Sequence, residues 1–443
     1  MREIAVAALG VCMLVGGSSA FAQEASPQSS AGLYGRKLEE KTAHALDVSG
    51  TVVEAYDDDV YADGGAPINP GQQQAAGYYS MFQANSNDDW KGKRSHVGAT
   101  GGATMRYYQE DQTVQWTNFT GGLGFSSQLS TRTSVFANQT ASYSPSYFYR
   151  LFPTADVPTP GAVAPPAPDY TVPGASSASY SYSTTATLSH SFGPRAALSG
   201  QADYGYTDFV ENSVALRDSK TYGVRGDYSR NMSRNTVARF GYRYRNGDVG
   251  FGAATGRPTV EHGLDVGVDY SRPLSATRRA TFAFSVGSSA VSLPDSTLGE
   301  LRGQVYRAIG SAKFGYQFSR AWQATTSYRR GLDYVPGLSQ PVFTDGLSAV
   351  VNGLFNQRWD FTAQAGYSSG EPAYFTQTAT YKTYTGDVRL RYALTRLWAI
   401  QAEYLYYFYD FNGALVVPQD SPPQLERNGV RVGVTWWIPA LRR

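Results

Sequence analysis

Four stretches of the 443-residue chain carry residue types at spacings that could do chemistry. Gly366-Tyr367-Ser368-Ser369-Gly370 matches G-x-S-x-G, the frame that holds a serine nucleophile on a sharp strand-to-helix turn. Asp57, Asp58, Asp59 and Asp63 gather the carboxylate oxygens that Ca²⁺ prefers. Gly121-Gly122-Leu123-Gly124 has the glycine density of a phosphate-binding loop. Arg239, Arg243 and Arg245 share one face of an alternating segment, and Asp265 and Asp269 share one face of the next. If both faces line a lumen, these opposite charges set a transverse field across an aqueous path. The plainer alternative is wall electrostatics, worth roughly 0.2–1 kcal/mol per neighbouring pair.

The elements that hold these residues decide among the possibilities. Tyr180, Tyr182, Thr184, Ala186, Leu188, His190 and Phe192 alternate with polar residues. So do Tyr222, Val224, Gly226 and Tyr228; Ala238, Phe240, Tyr242 and Tyr244; Leu264, Val266, Val268 and Tyr270; and Val430, Val432, Val434, Trp436 and Ile438. A two-residue period with one apolar face is the signature of β-strands. The runs exceed the ~5–6 residues of a typical soluble strand and suit a tilted membrane-spanning one. Helical signals are missing around the candidate sites, so the serine motif sits at the loop end of a strand and the glycine stretch precedes no helix. Of the four histidines only His190 and His262 fall on the outward face, and neither has a serine partner. The aspartates lack EF-hand spacing and read as a solvated acidic loop. The chain is therefore expected to be no enzyme and to need no metal or cofactor.

Composition agrees with a barrel in a membrane. Charged residues are 17% and hydrophobic ones 42%, with 33 Tyr and 46 Gly; mean hydropathy is −0.36. That balance suits β-structure with one apolar and one weakly polar face. A net charge of +2 is too small to imply a nucleic-acid partner. No apolar run approaches the ~18 residues of a membrane helix. Residues 1–22 read as a secretory signal, with Arg2, an apolar core from Ile4 to Val15, and Ala20-Phe21-Ala22 before the cut. The only cysteine, Cys12, lies inside it. Residues 23–43 form a short periplasmic N-terminal tail, too small to fold as a plug.

Connections alternate short and long. The short ones share an apolar–Ser/Thr/Asn–x–Arg character, as in Leu129-Ser130-Thr131-Arg132, Met232-Ser233-Arg234, Phe318-Ser319-Arg320, Phe355-Asn356-Gln357-Arg358 and Leu394-Thr395-Arg396. Leu274-Ser275-Ala276-Thr277-Arg278 and Phe192-Gly193-Pro194-Arg195 are variants. Short periplasmic turns with longer outer loops are the asymmetry of outer-membrane barrels. The reading is an all-β, transmembrane, antiparallel up-and-down barrel of about eighteen strands over 44–438, with 439–443 as a C-terminal extension. The weakest strand is 77–94. A barrel of this size holds an aqueous channel.

The segment Val52-Val53-Glu54-Ala55-Tyr56-Asp57-Asp58-Asp59-Val60, followed by hairpins with L-S/T-x-R turns, resembles the β-barrel porin type 2 family across essentially the whole mature chain. Asp59 stands where that pattern carries Asn. Arg431-Val432-Gly433-Val434-Thr435-Trp436-Trp437-Ile438 is similar to the C-terminal signal read by the barrel-assembly machinery, with Ile in place of the terminal Phe. The resemblance implies a Gram-negative outer-membrane location among lipid and lipopolysaccharide, and for some members a link to exopolysaccharide export components. Three readings stay open: a porin-like channel for hydrophilic solutes, a polysaccharide conduit, and a closed structural or adhesion barrel. A wide lumen favours the conduit, an inward-folded loop the porin, a filled lumen the structural barrel. The loop 145–177 carries eight prolines and the aromatics Tyr147, Phe148, Tyr149 and Phe152. It is expected to fold over or into the mouth and set a size limit.

Overall fold

The computed structural model describes residues 43–58, 76–109, 113–144, 178–210, 218–249, 258–275, 278–292, 304–334, 341–373, 380–412 and 424–443. The signal segment, nearly all of the tail, Asp59, Asp63 and the loop 145–177 lie outside the described residues.

Among the described residues eighteen strands follow one another in chain order. They are β1 (His44–Asp57), β2 (Gly77–Lys91), β3 (Ser95–Tyr108), β4 (Thr113–Gln128), β5 (Thr133–Ser144) and β6 (Ser179–Gly193). Next come β7 (Ala196–Phe209), β8 (Ser219–Asn231), β9 (Thr236–Val249), β10 (Thr259–Pro273), β11 (Arg279–Ser292) and β12 (Gln304–Gln317). The last are β13 (Trp322–Asp333), β14 (Val342–Leu354), β15 (Trp359–Pro372), β16 (Thr380–Ala393), β17 (Trp398–Asn412) and β18 (Gln424–Arg442). Each pairs antiparallel with its sequence neighbours, and β1 pairs with β18 to close the ring. His44 and Arg443 and the short turns lie at one end of the barrel, and the strand ends that the other connections join lie at the opposite end.

The weakest expected strand is fully formed. Its polar inner-end residues, Asn85, Asn87, Asp88 and Asp89, obscure the alternation. Even so, β2 pairs from His44↔Trp90 to Asp57↔Gly77 on one side and with β3 on the other. The His44 and Trp90 rings stack at 4.9 Å, and Asp88 Oδ1 lies 2.7 Å from His44 Nε2.

The C-terminal boundary requires correction. Residues 439–442 are not an extension beyond the barrel: β18 runs to Arg442, pairing Pro439↔Asp47, Leu441↔Leu46 and Arg442↔Ala45. The register shifts there, so Ala440 is looped out as a bulge. That irregularity accommodates Pro439, which cannot donate to a ladder. Backbone bonds of 2.9 Å in both directions between His44 and Arg443 complete the strand end.

The short turns explain their shared sequence. Ser130 Oγ accepts from the backbone N–H groups of Arg132 and Thr133, at 3.2 and 3.0 Å. Asn356 Oδ1 does the same for Arg358 and Trp359, and Thr395 Oγ1 for Leu397 and Trp398. A short polar side chain thus satisfies donors that the tight reversal strands, which is why Ser, Thr or Asn recurs there.

The apolar face points outward. Val224, Phe240, Val266 and Val432 are half exposed on the outer surface, while their alternates face the lumen. Replacing mid-strand Val224 or Val266 by Arg is expected to destabilise the barrel by about 2–4 kcal/mol in equilibrium refolding into lipid vesicles. The lumenal change Thr325→Arg should leave stability within experimental error. Equal sensitivity on the two faces would contradict the assignment of outer and inner surfaces.

Candidate functional site in the lumen

The expected charge ladder forms on the inner face of β8–β10, with a different pairing from the one anticipated. In register, Arg245 stands opposite Glu261, Arg243 opposite Gly263, Gly241 opposite Asp265 and Arg239 opposite Gly267. The arginines and Asp265/Asp269 are therefore offset along the strands. Arg239 reaches diagonally to Asp269, Nη2 to Oδ1 at 2.7 Å. Asp265 is instead held by Arg225 on β8, with Nη1–Oδ1 at 2.9 Å. Arg225 also holds Asp227 on its own strand, Nη2 to Oδ1 at 2.6 Å.

Arg225 reaches Asp265 across the intervening β9 because residue 241 is glycine. A Cβ there would stand 2.5 Å from Arg225 Nη2, 2.7 Å from Asp227 Oδ1 and 2.8 Å from Asp265 Oδ1. Arg225 and Asp227 alternate with Tyr222, Val224 and Tyr228, so the two-residue period already placed them on the lumenal face. Their role needs the three-strand register, which periodicity does not give. Arg243 makes no ion pair among the described residues, and its charged surroundings are Arg245, Arg225, Arg329 and Glu261. It is the one arginine of the ladder with neither a carboxylate partner nor a flap contact among the described residues.

Arg245 is engaged differently. Its Nη1 donates to the Leu332 carbonyl at 3.0 Å, and its guanidinium lies 5.6 Å from the Tyr334 ring centre. Tyr334 OH donates to the Thr259 carbonyl at 3.3 Å. These contacts join β9 and β10 to the outer end of β13, across the lumenal side of β11 and β12.

The strand pairing explains how β13 comes to be there. β12 stays on β11 up to Gln304↔Ser292, and β13 stays on β14 up to Asp333↔Val342. Between β12 and β13, however, pairing runs only from Gly310↔Arg330 to Gln317↔Gln323. The outer ends of β13, β14 and β15 therefore leave the wall together and fold inward as a flap. Leu332 and Phe343 share a strand face with the exposed Tyr328 and Leu347, yet they are 0% and 1% exposed. They pack with Ala373 and Tyr334 against Val291 and Ile309, which belong to the lumenal face of β11 and β12. Arg307 pins the flap's far side, 3.2 Å from Glu371 and over the Phe343 ring. Gly247 makes room, since a Cβ there would run into the Tyr334 ring.

Inward side chains of the outer half, among them Tyr79, Arg106, Glu261, Ser289, Tyr381, Thr383 and Arg427, are buried. In the inner half Asn85, Asn87, Gln201 and Gln323 are only partly so, whereas the small or end-of-strand Ser189, Val237 and Ala399 are buried. The expected constriction aromatics Tyr147, Phe148, Tyr149 and Phe152 lie outside the described residues. The flap was not anticipated, because Leu332 and Phe343 keep the rhythm of lipid-facing residues. The available clue was apolar Val291 and Ile309 on an otherwise polar face.

A second cluster sits at the closing seam. Glu403 on β17 stands in register between Arg389 on β16 and Arg431 on β18, and Arg431 Nη1 is 3.5 Å from it. Arg431 Nε donates to Tyr79 OH at 3.1 Å. Buried Arg427 binds Asp57 at 2.5 Å and donates to Tyr407 OH at 2.9 Å. Arg391, two residues beyond Arg389 on β16, pairs with Asp360 on β15 at 2.6 Å. Asp58 caps Asn428, accepting from its backbone N–H at 2.6 Å and its side-chain amide at 2.8 Å. Asp57 and Asp58 are thus occupied in tying β1 to β18. Ser368, the serine of the G-x-S-x-G match, is buried within β15, and neighbouring Gly370 accommodates the Tyr381 ring. The match reflects close packing on a strand.

No protein-family profile and no curated protein sequence matches the chain. Among solved structures it is similar to Pseudomonas aeruginosa OpdL, with TM-score 0.42 and 10% identity over 90% of this chain and 99% of that one. It is likewise similar to P. aeruginosa OpdQ, with TM-score 0.44 and 11% identity over 90% and 99%. For Acinetobacter baumannii OccAB2 the TM-score is 0.42 and the identity 12%, over 89% and 98%.

The flap geometry carries its own test. In a Leu332→Cys protein the new thiol should react slowly with an impermeant thiol reagent added in solution. Adding Gly247→Val, which displaces Tyr334, should speed labelling at least about tenfold. Fast labelling of the single variant would show that the flap does not hold its packed position.

Proposed function

We propose that the chain is an outer-membrane channel of porin type that passes small hydrophilic solutes and discriminates among ions at the β8–β10 ladder. The carrying observation is a charged, partly paired inner face beside the inward-folded β13–β15 flap. An apolar outer face bearing Tyr, Phe and Trp supports the location, as do short turns at one end and long connections at the other. Delivery by an N-terminal signal and insertion through the barrel-assembly machinery, reading the β18 sequence, belong to the same reading.

The β13–β15 flap packed on the lumenal side of β11 and β12 favours small solutes over the exopolysaccharide conduit implied for some members of the resembling family, because a polymer needs an unobstructed path. Loop 145–177 is proposed to narrow the mouth, so deleting 150–172 should raise unit conductance.

Selectivity tests the ladder. Purified protein in planar bilayers under a salt gradient should give a reversal potential that moves toward cation preference on Arg243→Gln. The triple Arg239→Gln, Arg243→Gln, Arg245→Gln variant should add modestly to that shift, since Arg239 is neutralised by Asp269 and Arg245 is covered by the flap. Asp265→Asn removes one of the two carboxylates that hold Arg225, leaving Asp227, and should move the potential the opposite way. Unchanged potentials in all variants would reduce the ladder to wall electrostatics. Absence of conductance in both the intact and loop-shortened proteins would favour a closed structural barrel.

A further inference from the structure

The short turns form a second charged ring, at the opposite end of the barrel from the flap. Every short turn after the first begins with an apolar residue on the lipid-facing parity and continues to an arginine. Met232 is 66% exposed and Phe355 61%, followed by Arg234 and Arg358. These apolar residues continue the outer surface: the Phe318 ring contacts Tyr316 at 4.8 Å and the Phe355 ring contacts Trp322 at 5.0 Å. Each turn therefore places an apolar anchor at the edge of the lipid and a guanidinium one or more residues beyond it. That is the arrangement in which a cationic side chain snorkels to the phosphate level.

Most acids near this ring are already bound by cations: Asp360 by Arg391, Asp47 by Arg442, Asp89 by Lys91 and Asp269 by Arg239, while Asp88 lies against the His44 ring, away from the turn arginines. Among the described residues Arg195, Arg234 and Arg320 are exposed and make no ion pair. Since the whole chain carries only +2, a rim this cationic is a local concentration of charge at one end.

We infer that the rim of arginine-bearing short turns is a binding surface for anionic phospholipid, with lipid phosphates on the guanidinium groups and acyl chains against the apolar residue that opens each turn. This rests on the outer-membrane reading above and deepens it, since it assigns this end to a phospholipid leaflet. Guanidinium groups hold phosphate oxygens by paired, charge-assisted hydrogen bonds, and basic residues at a membrane surface add attraction for anionic lipid.

The test is native mass spectrometry of the purified full chain released from micelles containing equal phosphatidylglycerol and phosphatidylcholine. The intact protein should retain phosphatidylglycerol several-fold over phosphatidylcholine, and an excess of inorganic phosphate should not displace it. Combining Arg195→Gln, Arg234→Gln and Arg320→Gln should bring the ratio close to one while conductance and heat-resistant gel migration stay as in the intact protein. Substituting Met232→Ser and Phe355→Ser should lower retention of both lipids. Equal retention by the intact protein, or a preference that survives loss of the arginines, would overturn the inference. So would displacement by free phosphate, or tight binding of peptidoglycan fragments with indifference to lipid. A protein that conducts but shows no lipid preference refutes the lipid site alone; a protein that inserts into no bilayer refutes the channel reading itself.

Discussion

Backbone hydrogen bonding at the β1–β18 seam is the constraint on which everything else depends. In hydrocarbon no water is present to satisfy a strand's free edge, so a sheet can cross only if its first and last strands pair. Here that pairing runs from Ala45↔Arg442 to Asp57↔Gly429. It is reinforced at the outer end by the Arg427–Asp57 ion pair and by Asp58 on Asn428. Local sequence serves the same closure. Gly433 stands where a Cβ would strike Val53 and the Val52 carbonyl, and Gly50 lies under the Trp436 ring. Once the ring is closed, the two-residue period sorts every strand residue into lipid or lumen with no further information.

The flap is the one place where the wall departs from that rule. Above Gly310 the β13-side edge of β12, Gln304–Ile309, has no partner among the described strands. An unpaired edge is unfavourable near lipid. The compensation is burial of Leu332 and Phe343 against Val291 and Ile309, together with bonds from Arg245 and Tyr334 that bridge the lumenal face. Irregular backbone at membrane depth is tolerated where it is enclosed in protein or faces a cavity, and an inward fold meets that condition. The contacts that stabilise the flap also hold it on the lumenal side of the wall.

Strand positions were legible in the sequence because alternation, turn residues and Arg-bearing reversals repeat at each hairpin. Even β2 was readable, despite Asn85, Asn87, Asp88 and Asp89 weakening its pattern. The C-terminal boundary misled because Pro439 signals a strand end, whereas a bulge at Ala440 lets pairing resume. The ladder was legible as a face but not as partners. Arg239–Asp269 follows from neighbouring strands, yet Arg225–Asp265 spans three strands over Gly241, and only register reveals it. The flap was illegible for a related reason: Leu332 and Phe343 look lipid-facing by period, and only the loss of β12–β13 pairing turns them inward.

The central claim is that the odd-numbered face of β9 lines an aqueous path while the even-numbered face meets lipid. Single cysteines placed from Ala238 to Tyr244, leaving Gly241 in place because a Cβ there would strike Arg225, with current recorded in planar bilayers as a charged methanethiosulfonate reagent is added, test it most directly. The account predicts that positions 239 and 243 react and change conductance stepwise, while 238, 240, 242 and 244 leave the current unaltered. Current changes without that alternation, or at the even positions only, would contradict it.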